Sequence, residues 1–452
     1  MPVAGARSGT ERRGASLPVA TGERSFQRAR TLALEAAELD PDHPTARWLA
    51  AAATDRELVR PSRSSPCANP AGAAREAQDL RACFRAPRIH SVCMVTANEL
   101  MASFAERSGL VGARSQRRYL WTDAFAVCNF LALGQIDRAR ALVDRVHHEL
   151  GRHRPDDARR GWISGLGDAD GEAHPTLGGL RIGKPLPERG EGEPLDERLE
   201  WDRDGQYFHY LTKWMHALDQ VARATGDERS AIWARELADT AHRRFVYGAG
   251  GRRMDCRMYW KMSVDLMRPQ VASMGHHDPL DGYITCLQLD ATTRRGPDLV
   301  DAIADYRSMI DPGGLATGDP LGIGGLLVDA YRLAQLDRDR PLRDALLDAA
   351  RAGLAHYAMQ PDLRLPAEHR LAFRELGLAI GLAAALALDA PGFGQHARLR
   401  GAIEAFWLDG EHRRSRTYRE HQDISDVMLA TSLQPDGFLV LRRAGSAAAT
   451  AG

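Results

Sequence analysis

The sequence predicts an all-α protein made of helical hairpins arranged in two concentric rings. Three observations carry this. From about Ser103 onward apolar residues recur at helical spacing, with hardly a convincing strand. The first helix of each hairpin is apolar nearly all round, whereas the second alternates with Arg, Asp and Glu, the pattern of buried and half-buried helices respectively. Links inside hairpins are short, and links between them are long at 152–203 and 247–277. The long links therefore gather at the end where the first helices begin, and that end should carry a pocket.

Taken in order, residues 1–24 are rich in Gly, Ser and Arg and are expected to be disordered. Residues 25–54 read as a short helical hairpin around Asp40-Pro41-Asp42-His43-Pro44. One copy of such a unit cannot bury its own face. Residues 55–95 show no period, and the character of the chain changes near Met101. Residues 1–100 thus read as a partly disordered extension, of the kind an over-long gene start would add. Mass spectrometry of the natural N-terminus tests that expectation. Residues 101–440 form the body, and 441–452 read as a disordered tail.

Within the body a helix is expected at 95–108. The first clear pair is 117–133 with 136–151, joined at Gly134. The next is 204–225 with 227–246, split by Thr225-Gly226-Asp227. Three further pairs follow at 279–294 with 297–310, 320–336 with 341–358, and 368–389 with 395–409. A last helix is expected near 423–433.

Composition narrows the function. A hydrophobic fraction of 44% with 27% charged residues is that of a soluble globular protein. Zero net charge argues against nucleic acid or a membrane surface held by bulk electrostatics. No apolar run reaches the roughly 18 residues that span a bilayer. The six cysteines form no Cys-x-x-Cys pair and read as free thiols in the cytoplasm. Only three of the 60 basic residues are lysines, Lys184, Lys213 and Lys261, and all three lie in the motif-rich middle.

The motifs cluster at helix starts. Asp278-Pro279-Leu280-Asp281 and Asp319-Pro320-Leu321-Gly322 each place Asp at an N-cap and Pro at the first helical position. Asp281 completes a capping box or points into the pocket. In Trp201–His216, Tyr207, Tyr210 and Trp214 follow core spacing, while His209, Thr212, Lys213 and His216 form a polar strip. One of Asp202 and Asp204 caps this helix, and the other is free for acid/base work. Trp121 beside Asp123 is an aromatic–carboxylate pair suited to a sugar, or a buried Trp with a solvent Asp. Lys261, after Tyr259 and Trp260, binds an anion or makes a salt bridge. His276-His277 lacks a third ligand at metal spacing, so no metal or other cofactor is expected. His277 instead suits a general base. Glu375 lies on an apolar stripe, either paired with Arg370 or Arg374 or held as a catalytic acid. Gly322-Ile323-Gly324-Gly325 follows no strand and reads as close helix packing rather than a phosphate loop.

The hairpin alternation, together with Tyr119-Leu120-Trp121-Thr122-Asp123-Ala124-Phe125, Trp201–His216, Tyr259-Trp260-Lys261 and His276-His277-Asp278-Pro279-Leu280-Asp281-Gly282, resembles the six-hairpin, or (α/α)6 toroid, glycosidase superfamily over roughly residues 103–440. N-acylglucosamine 2-epimerase-like proteins share that fold. The resemblance implies a carbohydrate-active enzyme, foremost a glycoside hydrolase, acting on a small-molecule or oligosaccharide substrate with a carboxylate pair drawn from Asp123, Asp204, Asp281 and Glu375. His277 with His209 or His369 would instead serve an epimerase. In a non-catalytic helical scaffold the acids would be caps. Trp121, Tyr207, Tyr259 and Trp260 would stack on sugar. His209, Lys261, Asp278, Arg370 and Arg374 would contact its polar groups. Oligomeric state is not legible.

Overall fold

The computed structural model describes residues 95–112, 117–248, 256–359 and 361–441. The expected extension with its hairpin at 25–54 lies outside them, as does the tail from residue 442 on. Seventeen α-helices and five short strands make up the described residues.

Helix α1 (Ala97–Arg107) opens on a capping box in which Thr96 and Glu99 satisfy each other's backbone N–H. Then come α2 (Leu120–Ala132) and α3 (Ile136–Leu150). The first long link holds two short helices, α4 (Asp168–Ala173) and α5 (Glu197–Asp202), and leads through strand β1 (Gln206–Tyr207) into α6 (Phe208–Thr225). Helix α6 stops at Gly226, whose φ of 73° suits the left-handed C-cap. Asp227 then caps α7 (Glu228–Phe245).

The second long link holds β2 (Val246–Gly248), β3 (Cys256–Met258), β4 (Lys261–Met262) and β5 (Pro269–Val271). These strands were not expected. They form an antiparallel β2–β3 pair and a sheet ordered β1-β4-β5. Hydrogen bonding across the two links drives them, which no local periodicity signals.

Five long helices follow: α8 (Asp278–Thr292), α9 (Val300–Met309), α10 (Pro320–Leu336), α11 (Arg340–Met359) and α12 (Ala372–Ala387). The chain ends through α13 (Ala397–Leu408), α14 (Gly410–Arg413), α15 (Arg416–Glu420), α16 (Gln422–Leu433) and α17 (Asp436–Leu439).

Two expected starts shift. Helix α6 begins at Phe208 rather than 204, because Gln206 and Tyr207 pair with Met262 and Lys261 in the sheet. Helix α12 begins at Ala372 rather than 368. Residues Ala367–His369 form a 3-10 turn, and Arg370 is extended.

Packing follows the apolar pattern. Every residue from Leu120 to Leu131 is buried in α2, whereas α9 buries only Ala302 and Tyr306. Each buried Leu or Phe contributes about 1.5–3 kcal/mol. Helix α2 packs on α6, α6 on α8, α8 on α10, α10 on α12, α12 on α16, and α16 on α2. Each of these carries a second helix: α3 on α2, α7 on α6, α9 on α8, α11 on α10, α13 on α12, and α1 on α16. Glycine permits the tight α10–α12 contact: a Cβ at Gly324 would stand 2.2 Å from the Gly377 carbonyl oxygen.

Candidate functional site

Three adjacent helices bring polar side chains together. Helix α6 supplies His209, Lys213, His216 and Gln220, spaced to share one face. Helix α8 supplies Asp278 and Asp281 from its first turn, then Thr285 and Gln288. Helix α10 supplies Asp329 and Arg332 from the middle of an otherwise apolar run. Lys213 Nζ donates to Asp281 Oδ1 at 2.8 Å. His209 Nδ1 stands 3.8 Å from Asp278 Oδ1, and Arg332 Nη1 stands 3.8 Å from Asp329 Oδ1.

Deeper in, His216 Nε2 lies 2.9 Å from the Phe438 carbonyl. A carbonyl only accepts, so Nε2 carries the hydrogen and Nδ1 accepts from Gln288 Nε2 at 3.0 Å. The other hydrogen of that amide goes to Asp219 Oδ2 at 2.6 Å. Both ring nitrogens of His216 and both hydrogens of the Gln288 amide are bonded in this lower network.

The upper cluster is not. Asp278 Oδ2, His209 Nδ1, and Arg332 Nε and Nη2 are buried without a hydrogen-bond partner. Burial, reinforced by the neighbouring Asp281 charge, pushes the Asp278 carboxyl up to about 8. Burial also acts on Asp281, but the charge and hydrogen bond of Lys213, with Arg332 and His209, outweigh it and hold Asp281 below the ordinary carboxylate value. Burial and Asp281 push Asp329 up to about 7. Burial pushes His209 down to about 4. Near neutral pH, one turn of α8 thus carries a protonated and an ionised carboxyl side by side, the split that assigns acid and base in many enzymes.

An aromatic wall stands beside His209. Its ring stacks on Tyr207 with centroids 5.4 Å apart, and Tyr207 lies 5.1 Å from Trp260. Trp260 in turn meets Trp201 at 5.0 Å. Trp260 is half-buried and Tyr207 is buried.

Of the expected site residues, Asp278, Asp281, His209, Tyr207 and Trp260 come together here. The others are placed elsewhere or committed to other partners. Asp204 was expected to cap α6 or remain free, and it does neither. It is wholly buried, accepting from Arg181 Nη1 at 2.6 Å and from the Gly183 N–H at 3.0 Å, so it staples the long link. Asp123 accepts from the Tyr119 N–H at 3.1 Å and from Arg118 at 3.4 Å. Burial pushes it up to about 6. Trp121 is buried against Phe125.

Lys261 was expected at an anion or a salt bridge. It is buried, and its three donors go to Glu200 Oε1 and the carbonyls of Glu200 and Arg203. Glu375 takes both Arg370 donors, at 2.8 and 2.6 Å, and the Trp407 indole N–H at 2.8 Å, which is the paired reading of that acid. Arg374 binds Asp319, the N-cap of α10. Tyr259 stacks on Tyr247. His277, rather than Asp278, occupies the N-cap position of α8, and its Nε2 donates to the Leu315 carbonyl at 3.0 Å. Among the described residues no group of three or more His, Cys, Asp or Glu side chains is placed to hold a metal ion.

No family model and no curated protein matches the chain. Function therefore rests on the site. Sequence reasoning missed Asp329 and Arg332 as members and left Lys213 as one residue of a polar strip. The available signal was a charged pair three residues apart inside the apolar run from Leu326 to Leu333.

Proposed function

We propose that the protein is a glycoside hydrolase of the (α/α)6 toroid type, with Asp278 as general acid and Asp281 as base or nucleophile. The observation that carries this is a pair of carboxyls on one turn of α8 beside an aromatic wall, Asp281 bonded to Lys213 at 2.8 Å and Asp278 buried with Oδ2 unpartnered. The cyclic packing of α2, α6, α8, α10, α12 and α16, each backed by an outer helix, supports the toroid.

In this reading Asp278 gives its proton to the leaving oxygen, and Asp281 activates water or attacks the anomeric carbon. Lys213 keeps Asp281 ionised. Trp260 and Trp201 offer faces for the sugar ring. No described helix is long and apolar enough to cross a membrane. Cys286 is a buried free thiol, which suits a cytoplasmic enzyme.

The test is a panel of aryl glycosides, oligosaccharides and free reducing sugars. Turnover of glycosides is expected, with Asp281→Asn slowing it about 10²–10⁴-fold. Exchange of solvent deuterium into a reducing sugar, without bond cleavage, would establish the epimerase instead. No turnover and no sugar-induced thermal shift would leave a scaffold.

A further inference from the structure

An open cavity of about 520 Å³ lies apart from the acid pair, walled by α3, α7 and the link around α4. That volume falls within the roughly 300–1,000 Å³ of small-ligand sites. Neither α8 nor α10, which carry Asp278, Asp281, Asp329 and Arg332, lines it.

Its base is aromatic. His147, Trp162 and Trp233 line it with 4%, 3% and 9% of their surfaces exposed. The His147 ring meets Trp233 edge to face, with centroids 5.0 Å apart. His147 Nε2 accepts from the Trp214 indole N–H of α6 at 3.1 Å, so Nδ1 carries the ring hydrogen. Among the described residues no acceptor meets that hydrogen. Burial pushes His147 down to about 3, which keeps the ring neutral. The Trp162 Nε1 donor is also buried without a partner.

The rim is charged and more open. Asp144 and Arg145 come from α3, Glu172 from α4 and Arg229 from α7. The side chains of Asp144, Arg145 and Glu172 make no hydrogen bond or ion pair to any described residue. Carboxylates at this rim repel an anion, and guanidiniums repel a cation. A hydroxyl both donates and accepts, so it bonds a carboxylate and a guanidinium alike. The aromatic base suits an apolar C–H face.

We infer that this cavity is a second, non-catalytic binding site for a neutral sugar. Its aromatic base takes the C–H face of a ring, and its rim bonds the hydroxyls. The residues involved belong to α3, α7 and the first link, so binding here does not depend on the hydrolase reading.

Titration calorimetry on the intact chain tests this, with a panel of methyl glycosides of hexoses, pentoses and N-acetylated hexoses as probes. Saturable binding is expected in wild type and in Asp281→Asn, whose change lies outside the cavity. Asp144→Ala combined with Glu172→Ala should weaken it about tenfold. Neither side chain has a bond to lose, so the fold is expected to persist. Trp162→Phe breaks no hydrogen bond and should weaken binding as well, with thermal unfolding as the check that the variant folds. Binding left unchanged by the rim pair and by Trp162→Phe would put the sugar elsewhere and overturn the site. So would the absence of binding by any glycoside at millimolar concentration. Inorganic phosphate and ethylammonium serve as ionic probes, and binding of either one without any glycoside would overturn the sugar assignment. Turnover of aryl glycosides is scored separately, and its absence would remove the hydrolase while leaving this site to be decided by binding.

Discussion

Glu375 and Asp281 are both acids in the first turn of a mostly buried helix, yet their surroundings are opposite. Glu375 is sealed, with two charge-assisted bonds from Arg370 and a third from Trp407. Asp281 has one bond from Lys213, partial exposure, and a neighbour in Asp278 with an oxygen left unpartnered. A saturated acid holds helices together, whereas an unsaturated pair has capacity left for a ligand. Arg370→Ala breaks the first arrangement and should show the largest effect. Leaving Glu375 buried and unpaired should cost about 3–5 kcal/mol in a denaturant titration. Adding Glu375→Met should recover most of it, because the isolated charge is the penalty. Asp281→Asn should change stability far less while removing activity.

Asp278 sharpens the contrast through pH. The unfolded chain releases the Asp278 proton near 3.8, and the folded chain near 8. Between those values the folded state holds one more proton, so this group's contribution falls as pH rises through the window and is constant above it. Asp278→Asn removes that loss. At pH 7 the variant should be more stable than wild type, on the order of 1–3 kcal/mol, with the gap closing toward pH 4. The same group gives the alkaline limb of activity: kcat/KM should fall above about pH 8 as the acid loses its proton. An acid limb should follow protonation of Asp281 below the usual carboxylate range. A profile flat through pH 9 would remove Asp278 as the acid.

The helices were legible because burial writes itself into periodicity. Helix α2 is apolar all round since other helices surround it, and α13 shows a polar face since it buries only Ile403 and Trp407. The site was legible only in part, because its pairings are distant. Lys213 and Asp281 lie 68 positions apart, and no local pattern announces that they meet. Asp204 looked available for the opposite reason. Its partner Arg181 sits 23 residues back in a link without periodicity. Arg332 and Asp329 resemble a surface ion pair until α6 and α8 are placed against them.

The smallest expected effect concerns two identical tripeptides. Asp278-Pro279-Leu280 and Asp319-Pro320-Leu321 read alike as an N-cap followed by proline. Only the second behaves so: Asp319 Oδ2 accepts from the Gly322 N–H at 3.1 Å and its other oxygen binds Arg374. Asp278 sits one position inside α8 instead, with its carboxyl packed against Gly275. Asp319→Ala should therefore cost about 1 kcal/mol, the usual price of a lost cap, with little change in turnover. Asp278→Ala should cost nothing attributable to capping and should abolish turnover. Equal stability losses at the two positions, read from thermal unfolding at pH 7, would mean that Asp278 also serves as a cap and would weaken its assignment as the acid.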